Sequence, residues 1–197
     1  MSLTRTGPVT KDTSTVALGL AKIMIGPSAT HIAATTTVLD ETADSLGALN
    51  TSSFTSNVEY WKLESGFPML EDMTIPLRES AMLECEFKEI HPKNLAYARG
   101  VDASTGYASA HSGSISLGSM VAPAFVRAEA VYTYPNGTNK MAIIFPRANV
   151  TSSVNLNFAA EDNVNVPITI EAKRADSEVE GGNAAWDAMP LGRIAFS

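Results

Sequence analysis

Apolar and polar residues alternate over much of the chain. In Ala81–Phe87, Ala81, Leu83, Cys85 and Phe87 share one side, while Glu84, Glu86 and the following Lys88 share the other. That is the period-two pattern of a strand with one buried face. Glu71–Leu77 repeats it, with Met73, Ile75 and Leu77 opposite Asp72 and Thr74. Pro76 interrupts this run and leaves its pairing open, because proline cannot donate to a ladder. Asn57–Glu64 reads as another strand, ended by Gly66-Phe67-Pro68. Ala124–Tyr134 puts Val126, Ala128, Ala130 and Tyr132 on one face. Pro135–Asn139 then supplies an Asn-Gly turn, and Met141, Ile143 and Phe145 alternate on the return, which together predict a hairpin. Val154–Phe158 and Val166–Ala172 read as two more strands joined through Glu161-Asp162-Asn163. Thr15–Ile25 is apolar on both faces, like a buried strand, and Gly26-Pro27-Ser28 stops it. Leu191–Phe196 fits a final strand or a docking tail.

One helix is punctuated at both ends. His91-Pro92 opens it with proline at the first helical position, and Gly100 closes it. Leu95, Ala96 and Ala98 give it a small apolar side. At about two turns it is too short to stand alone and must pack on the sheet. Between these elements, residues 1–14 read as a flexible arm and residues 28–56 as a long Ser/Thr-rich loop with a turn near Asp40–Leu46. Residues 101–120 and 176–190 read as further loops, the latter exposed. The pattern is mainly β and antiparallel.

Composition narrows the classes. A chain of 197 residues, 45% apolar and 18% charged, is globular and long enough to bury a core. The longest apolar run, Val16–Ala21, stops at Lys22, far short of a membrane span of roughly 20 residues. The N-terminal residues lack a signal-peptide apolar stretch. The single cysteine, Cys85, rules out an internal disulfide framework. A net charge of −7 argues against gripping nucleic acid by neutralising phosphates. The acidity is concentrated: Asn57–Ile90 holds eight acids and three bases, leaving a net −2 for the rest of the chain. Such a region is either a solvated sheet face or a surface that repels DNA or like copies.

Catalytic signatures are absent from the sequence. There is no GxxxxGK[ST], GxGxxG, HExxH or GxSxG. His31, His91 and His111 stand in unrelated contexts, so no metal site is expected. Cys85 alternates with Leu83 and Phe87 and reads as a buried structural thiol. Neither a catalytic residue nor a cofactor is expected.

The segment Ser56–Asp102, SNVEYWKLESGFPMLEDMTIPLRESAMLECEFKEIHPKNLAYARGVD, resembles the central block of the tail tube proteins (major tail proteins) of tailed bacteriophages. The resemblance lies in an acidic strand pair, a strand ending Phe-Lys-Glu-Ile, and a short helix of the form Pro-x-Asn-Leu-Ala-x-Ala-x-Gly. In this chain that helix carries Pro92, Asn94, Leu95, Ala96, Ala98 and Gly100. Asn165–Asp176 and Leu191–Phe196 resemble the closing strands. The resemblance implies one tail-tube-like domain over residues 1–197. Its fold would be two packed antiparallel sheets, a β-sandwich or open barrel, with one short flanking helix. It implies hexameric rings stacked into a hollow tail tube in the virion, assembled in the host cytoplasm. Partners would be other copies, a terminator, baseplate or tip proteins and a tape measure, with DNA passing without specific binding and no membrane insertion. Residues 28–56 and Leu63–Met69 would then be stacking contacts. Asp72, Glu84 and Glu86 would be acidic residues lining the lumen, where negative charge repels phosphates; the competing reading is an outer face kept soluble by charge. Rival readings of the chain are a tail terminator or decoration protein of similar architecture, and a carbohydrate-binding β-sandwich module.

Overall fold

The computed structural model describes residues 17, 19–103, 106–107, 111–118, 122–156, 158 and 164–197. The predicted N-terminal arm and the Glu161-Asp162-Asn163 junction lie outside the described residues. The protein is mainly β. Strands β1 (Lys22–Pro27), β2 (Leu49–Ser65), β3 (Leu70–Phe87), β4 (Phe125–Thr133), β5 (Lys140–Val150), β6 (Val166–Ala172) and β7 (Arg193–Phe196) form one antiparallel sheet. Its order is β1-β4-β5-β6-β3-β2, with β7 also paired to β5. Two helices, α1 (Ser28–His31) and α2 (Pro92–Ala98), and a 3-10 turn at Ala184–Trp186 complete the described elements.

Strand β5 turns this single sheet into two facing layers. Opposite β4, its first half pairs with β7 at Met141–Ile144 and its last residues pair with β6 at Ala148–Val150. The sheet therefore divides along β5 and folds back on itself. The rings of Phe54 on β2 and Phe145 on β5 meet at 6.3 Å, although β3 and β6 separate those strands in the sheet order. The layered architecture implied by the resemblance is thus made from one continuous hydrogen-bonded path.

The alternation in Ala81–Phe87 holds in full. Leu83, Cys85 and Phe87 are buried and meet Ile168 and Ile170 of β6, Val126 and Ala128 of β4, and Ala96, Tyr97 and Ala98 of α2 in one core; Leu95 packs at its edge. The helix forms where its punctuation predicts. His91 is the N-cap, its Nδ1 accepting from the Lys93 amide at 3.1 Å, and Gly100 turns the chain out at φ +74°. The buried Asn94 ties the helix to the preceding chain, donating to the carbonyls of Leu46 and Glu89.

Several expectations are revised. The first strand begins at Lys22, with Leu20 exposed before it, and it runs through Gly26-Pro27. Gly26 fits because Leu39 packs over it, leaving no room for a Cβ. The long loop ends at Ala48: the Ser/Thr-rich residues from Leu49 onward are strand, since β3 supplies a backbone partner residue by residue. β3 itself runs unbroken through Pro76. The register slips by one residue at Leu77, a β-bulge, and in that stretch β3 pairs only with β2, so Pro76 faces no second ladder. Residues 154–156 are not strand; Val154 and Leu156 pack on the core, and the chain before them is held at Thr169 by Thr151 and Ser152. The segment 176–190 is not wholly exposed: Trp186 is fully buried. Leu191–Phe196 supplies a final strand, β7.

The outer side of β4 carries two buried charges. Alternation places Arg127 and Glu129 opposite the apolar face, where solvent would be expected. Both side chains are 0% exposed, sealed beneath residues 31–39. The Arg127 Nε donates to Glu129 Oε1 at 2.7 Å, and the guanidinium also donates to the carbonyls of His31, Ala34 and Thr36 at 2.7–2.9 Å. Glu129 accepts from the amides of Val38 and Leu39. Trp186 Nε1 donates to the Ile32 carbonyl at 2.6 Å. A second core of Met24, Leu39, Val131, Ala142, Ile144, Ala175 and Trp186 fills this side.

Three outcomes follow from this architecture. Glu129→Gln leaves a buried guanidinium without its counter-charge and should cost about 3–5 kcal/mol in urea unfolding, whereas an apolar replacement of both residues should cost less. Phe87→Ala opens the main core and should cost about 3–5 kcal/mol in the same measurement. Burial, and then the Glu84 carboxylate, push the Cys85 thiol up to about 12 from an ordinary 9.0. The folded state then keeps a proton that the unfolded chain loses first, so this contribution to stability is intact below pH 9 and is lost as the pH rises toward 12. At pH 8, iodoacetamide should label native Cys85 at least about a hundredfold more slowly than the urea-unfolded chain.

Candidate functional site

The β2–β3 hairpin is built from the two longest described strands, and its far half is exposed. Its root is part of the sheet, because β3 pairs with β6 at Met82–Phe87. Beyond Ala81 the two strands have only each other, out to the turn at Gly66. Both faces of this ribbon are open: Tyr60, Trp61, Leu63, Phe67, Met69, Leu70, Met73, Ile75 and Leu77 are all exposed. A two-stranded ribbon in water is marginal by itself. Among the described residues, the outer edge of β2 has no backbone partner, whereas the outer edge of β1 is covered by Asp44–Leu46 through Ile25 N–H to Asp44 O and Leu46 N–H to Ile23 O.

The register sorts the ribbon's side chains by face. Trp61 lies opposite Ile75 and Leu63 opposite Met73, so these four share one face. Following the alternation of β2 back to the root, that face continues into Thr55, Ser53 and Thr51, and Ser53 and Thr51 stand opposite Glu84 and Glu86. The next strand adds Thr169 beside Glu84, and Glu171 beside Met82. The root thus presents an acidic field on a Ser/Thr background, and the far end an apolar patch.

The three acidic residues singled out by sequence do not form one cluster. Glu84 is exposed and Glu86 half-buried, two positions apart on the same face. Asn50 Nδ2 donates to Glu86 at 3.2 Å. Asp72 is exposed near the tip, at a register slip, hydrogen-bonded by Ser65, and twelve strand residues from Glu84, about 40 Å. Glu171 belongs with Glu84 and Glu86 and was not singled out. Its outward position is legible from the alternation of Val166, Ile168 and Ile170, but the strand it adjoins is not. Hydrogen bonds from Lys173, then from Thr151, hold its carboxyl below the usual range. Lys173 is therefore spent on Glu171, at 2.7 Å.

Other groups with chemical potential are engaged in the fold. A cleft of about 880 Å³ lies between residues 41–47 and the start of α2. Of its polar lining, His91 caps the helix, Glu89 accepts from the Ala48 amide and Lys93 donates to the Ala43 carbonyl at 2.6 Å. Among the described residues no group of three or more His, Cys, Asp or Glu side chains is placed to hold a metal ion. Tyr60 and Trp61, adjacent in sequence, point to opposite faces of the ribbon and make no joint aromatic platform. Tyr132 and Tyr134 meet edge to face at 5.1 Å, but Tyr132 is buried.

No family model and no curated relative matches the chain. Among solved structures, it is similar to a chain of the PVC sheath-tube complex of an extracellular contractile injection system in the extended state, at 12% identity, covering 90% of this chain and 88% of that one with a TM-score of 0.47. It is also similar to a chain of the anti-feeding prophage cap, the AFP tube-terminating cap, at 9% identity, covering 100% of this chain and 99% of that one with a TM-score of 0.46.

Proposed function

We propose that the chain is a structural subunit that associates with copies of itself into hexameric rings, and that these rings stack into a hollow tail tube through which DNA passes. The observation that carries this reading is the β2–β3 ribbon. A seventeen-residue edge strand, unpaired on its outer side among the described residues and carrying an apolar patch on one face at its far end, invites association. In a closed ring each open β2 edge finds a neighbour's strand, which removes the edge. Stacked rings cover the ribbon's apolar end. The protein–DNA chemistry would be one of non-attachment: the root of the same face carries Glu84, Glu86 and Glu171, with Lys88 at its margin and Lys173 already paired. Six copies would repeat these carboxylates around a lumen, and a wall of one sign repels phosphate. At physiological salt the repulsion reaches about 8 Å from the wall, so it would keep DNA from adhering rather than drive it. Under this reading the other partners are tail proteins that cap, nucleate or measure the tube.

Concentrated protein should form rings or tubes visible by negative stain and sediment well above the monomer. A chain that sediments as a monomer at every concentration sinks the reading. In assembled tails, Glu84→Lys with Glu86→Lys should leave tubes intact while ejection of DNA slows or fails. Normal ejection through normal tubes would show that this face does not line the channel.

A further inference from the structure

The mouth between the two sheet layers holds a groove of about 170 Å³, with walls from Phe54 and Ala81 on one layer and Ile143, Phe145 and Ile194 on the other. Its floor is the tilted pair Phe54–Phe145. An apolar cavity of about 150 Å³ accepts one benzene ring, so this groove has room for a single aromatic side chain. At the tip of the β2–β3 ribbon Phe67 has 103% exposure, the full surface of a free side chain, flanked by Met69 and Leu70. An aromatic ring left wholly in water forgoes the gain of burying its apolar surface.

The knob cannot reach the groove of its own chain. The groove lies at the ribbon's root, beside Phe54 and Ser56, and Gly66 is ten extended residues farther on, about 33 Å. Charge also fits a contact between copies. The cation at the groove is Arg193, which makes no ion pair among the described residues, while Glu79 stands on the opposite wall. Around the tip, Glu64 and Asp72 make no salt bridge among the described residues, and the cation nearest Glu64, Lys62, is bonded to Glu71 at 2.6 Å. We infer that Phe67 at the ribbon tip of one copy seats in the groove between the sheet layers of the next, with Arg193 meeting the tip carboxylates. Groove and knob lie on different parts of the surface, so the contact is heterologous and propagates from copy to copy. This contact rests on the self-association reading and specifies its partner surface.

The test is cysteine cross-linking between two full-length variants, Phe67→Cys and Ile194→Cys. Both positions are exposed, so neither change should disturb folding, and the buried Cys85 stays out of the reaction. After mixing, assembly and mild oxidation, a disulfide dimer joining the two variants should appear, with none between Phe67→Cys and Glu178→Cys. Phe67→Ala should raise the concentration needed for assembly at least about tenfold, and Arg193→Glu should do the same, with recovery when Glu64→Lys is added. Normal assembly without the cross-link, and with Phe67→Ala assembling like the native chain, overturns this contact and leaves the assembly reading standing, some other group then covering the groove. Absence of assembly by the native chain at any concentration overturns both.

Discussion

The polar clamp between β4 and residues 31–39 decides how the rest of the molecule can be built. Arg127 and Glu129 neutralise each other and together satisfy three carbonyls and two amides of the end of α1 and the irregular segment after it. A loop laid over a sheet would otherwise bury unpaired backbone groups, each costing about 1–3 kcal/mol. With the clamp in place the loop becomes a lid, Leu39 packs on Gly26, and Trp186 can close the second core by bonding Ile32. β4 and β5 are then covered on both faces and serve as the rigid centre of the sheet.

That rigid centre contrasts with the ribbon. β4 and β5 lie between layers, whereas the distal halves of β2 and β3 have one strand neighbour each and no covering layer. Under the assembly reading the two regions would divide the labour of a subunit, one holding the core and the other offering a hydrogen-bonding edge and apolar surface to a partner. The bulge at Leu77 separates them, and because β3 pairs only with β2 in this stretch, Pro76 sits in a long strand without facing a second ladder.

The acidic residues gain meaning from the same division. Along the chain they look like one dense block. In space they separate into a root field, Glu84 and Glu86 joined by Glu171 from β6, and a tip set of Glu64, Glu71 and Asp72 about 40 Å away. A field on the flat face of the sheet can act on a polyanion passing over it. Carboxylates at the end of a projecting ribbon are placed to meet a cation on another surface.

Period-two alternation determined by itself which side chains of Ala81–Phe87, Phe125–Thr133 and Val166–Ala172 face the main core, because strand geometry leaves only two sides. Proline and glycine placed α2 within a residue, and the Asn136-Gly137 turn placed the β4–β5 hairpin. These are local rules, and they worked where neighbours in sequence set the outcome. Tertiary structure alone decided whether the second side of a strand meets water or a lid, which is why Arg127 and Glu129, opposite the apolar face of β4, are buried, as is Trp186 in a segment that reads as an exposed loop. It decided that the Ser/Thr-rich residues before Asn57 are strand, since polar residues adopt extended structure when a partner strand satisfies their backbone. It also brought Glu171 beside Met82, onto the face that carries Glu84, a neighbour relation across nearly ninety residues of sequence that no local pattern encodes, because strand order is set by how the folded layers bury their apolar faces.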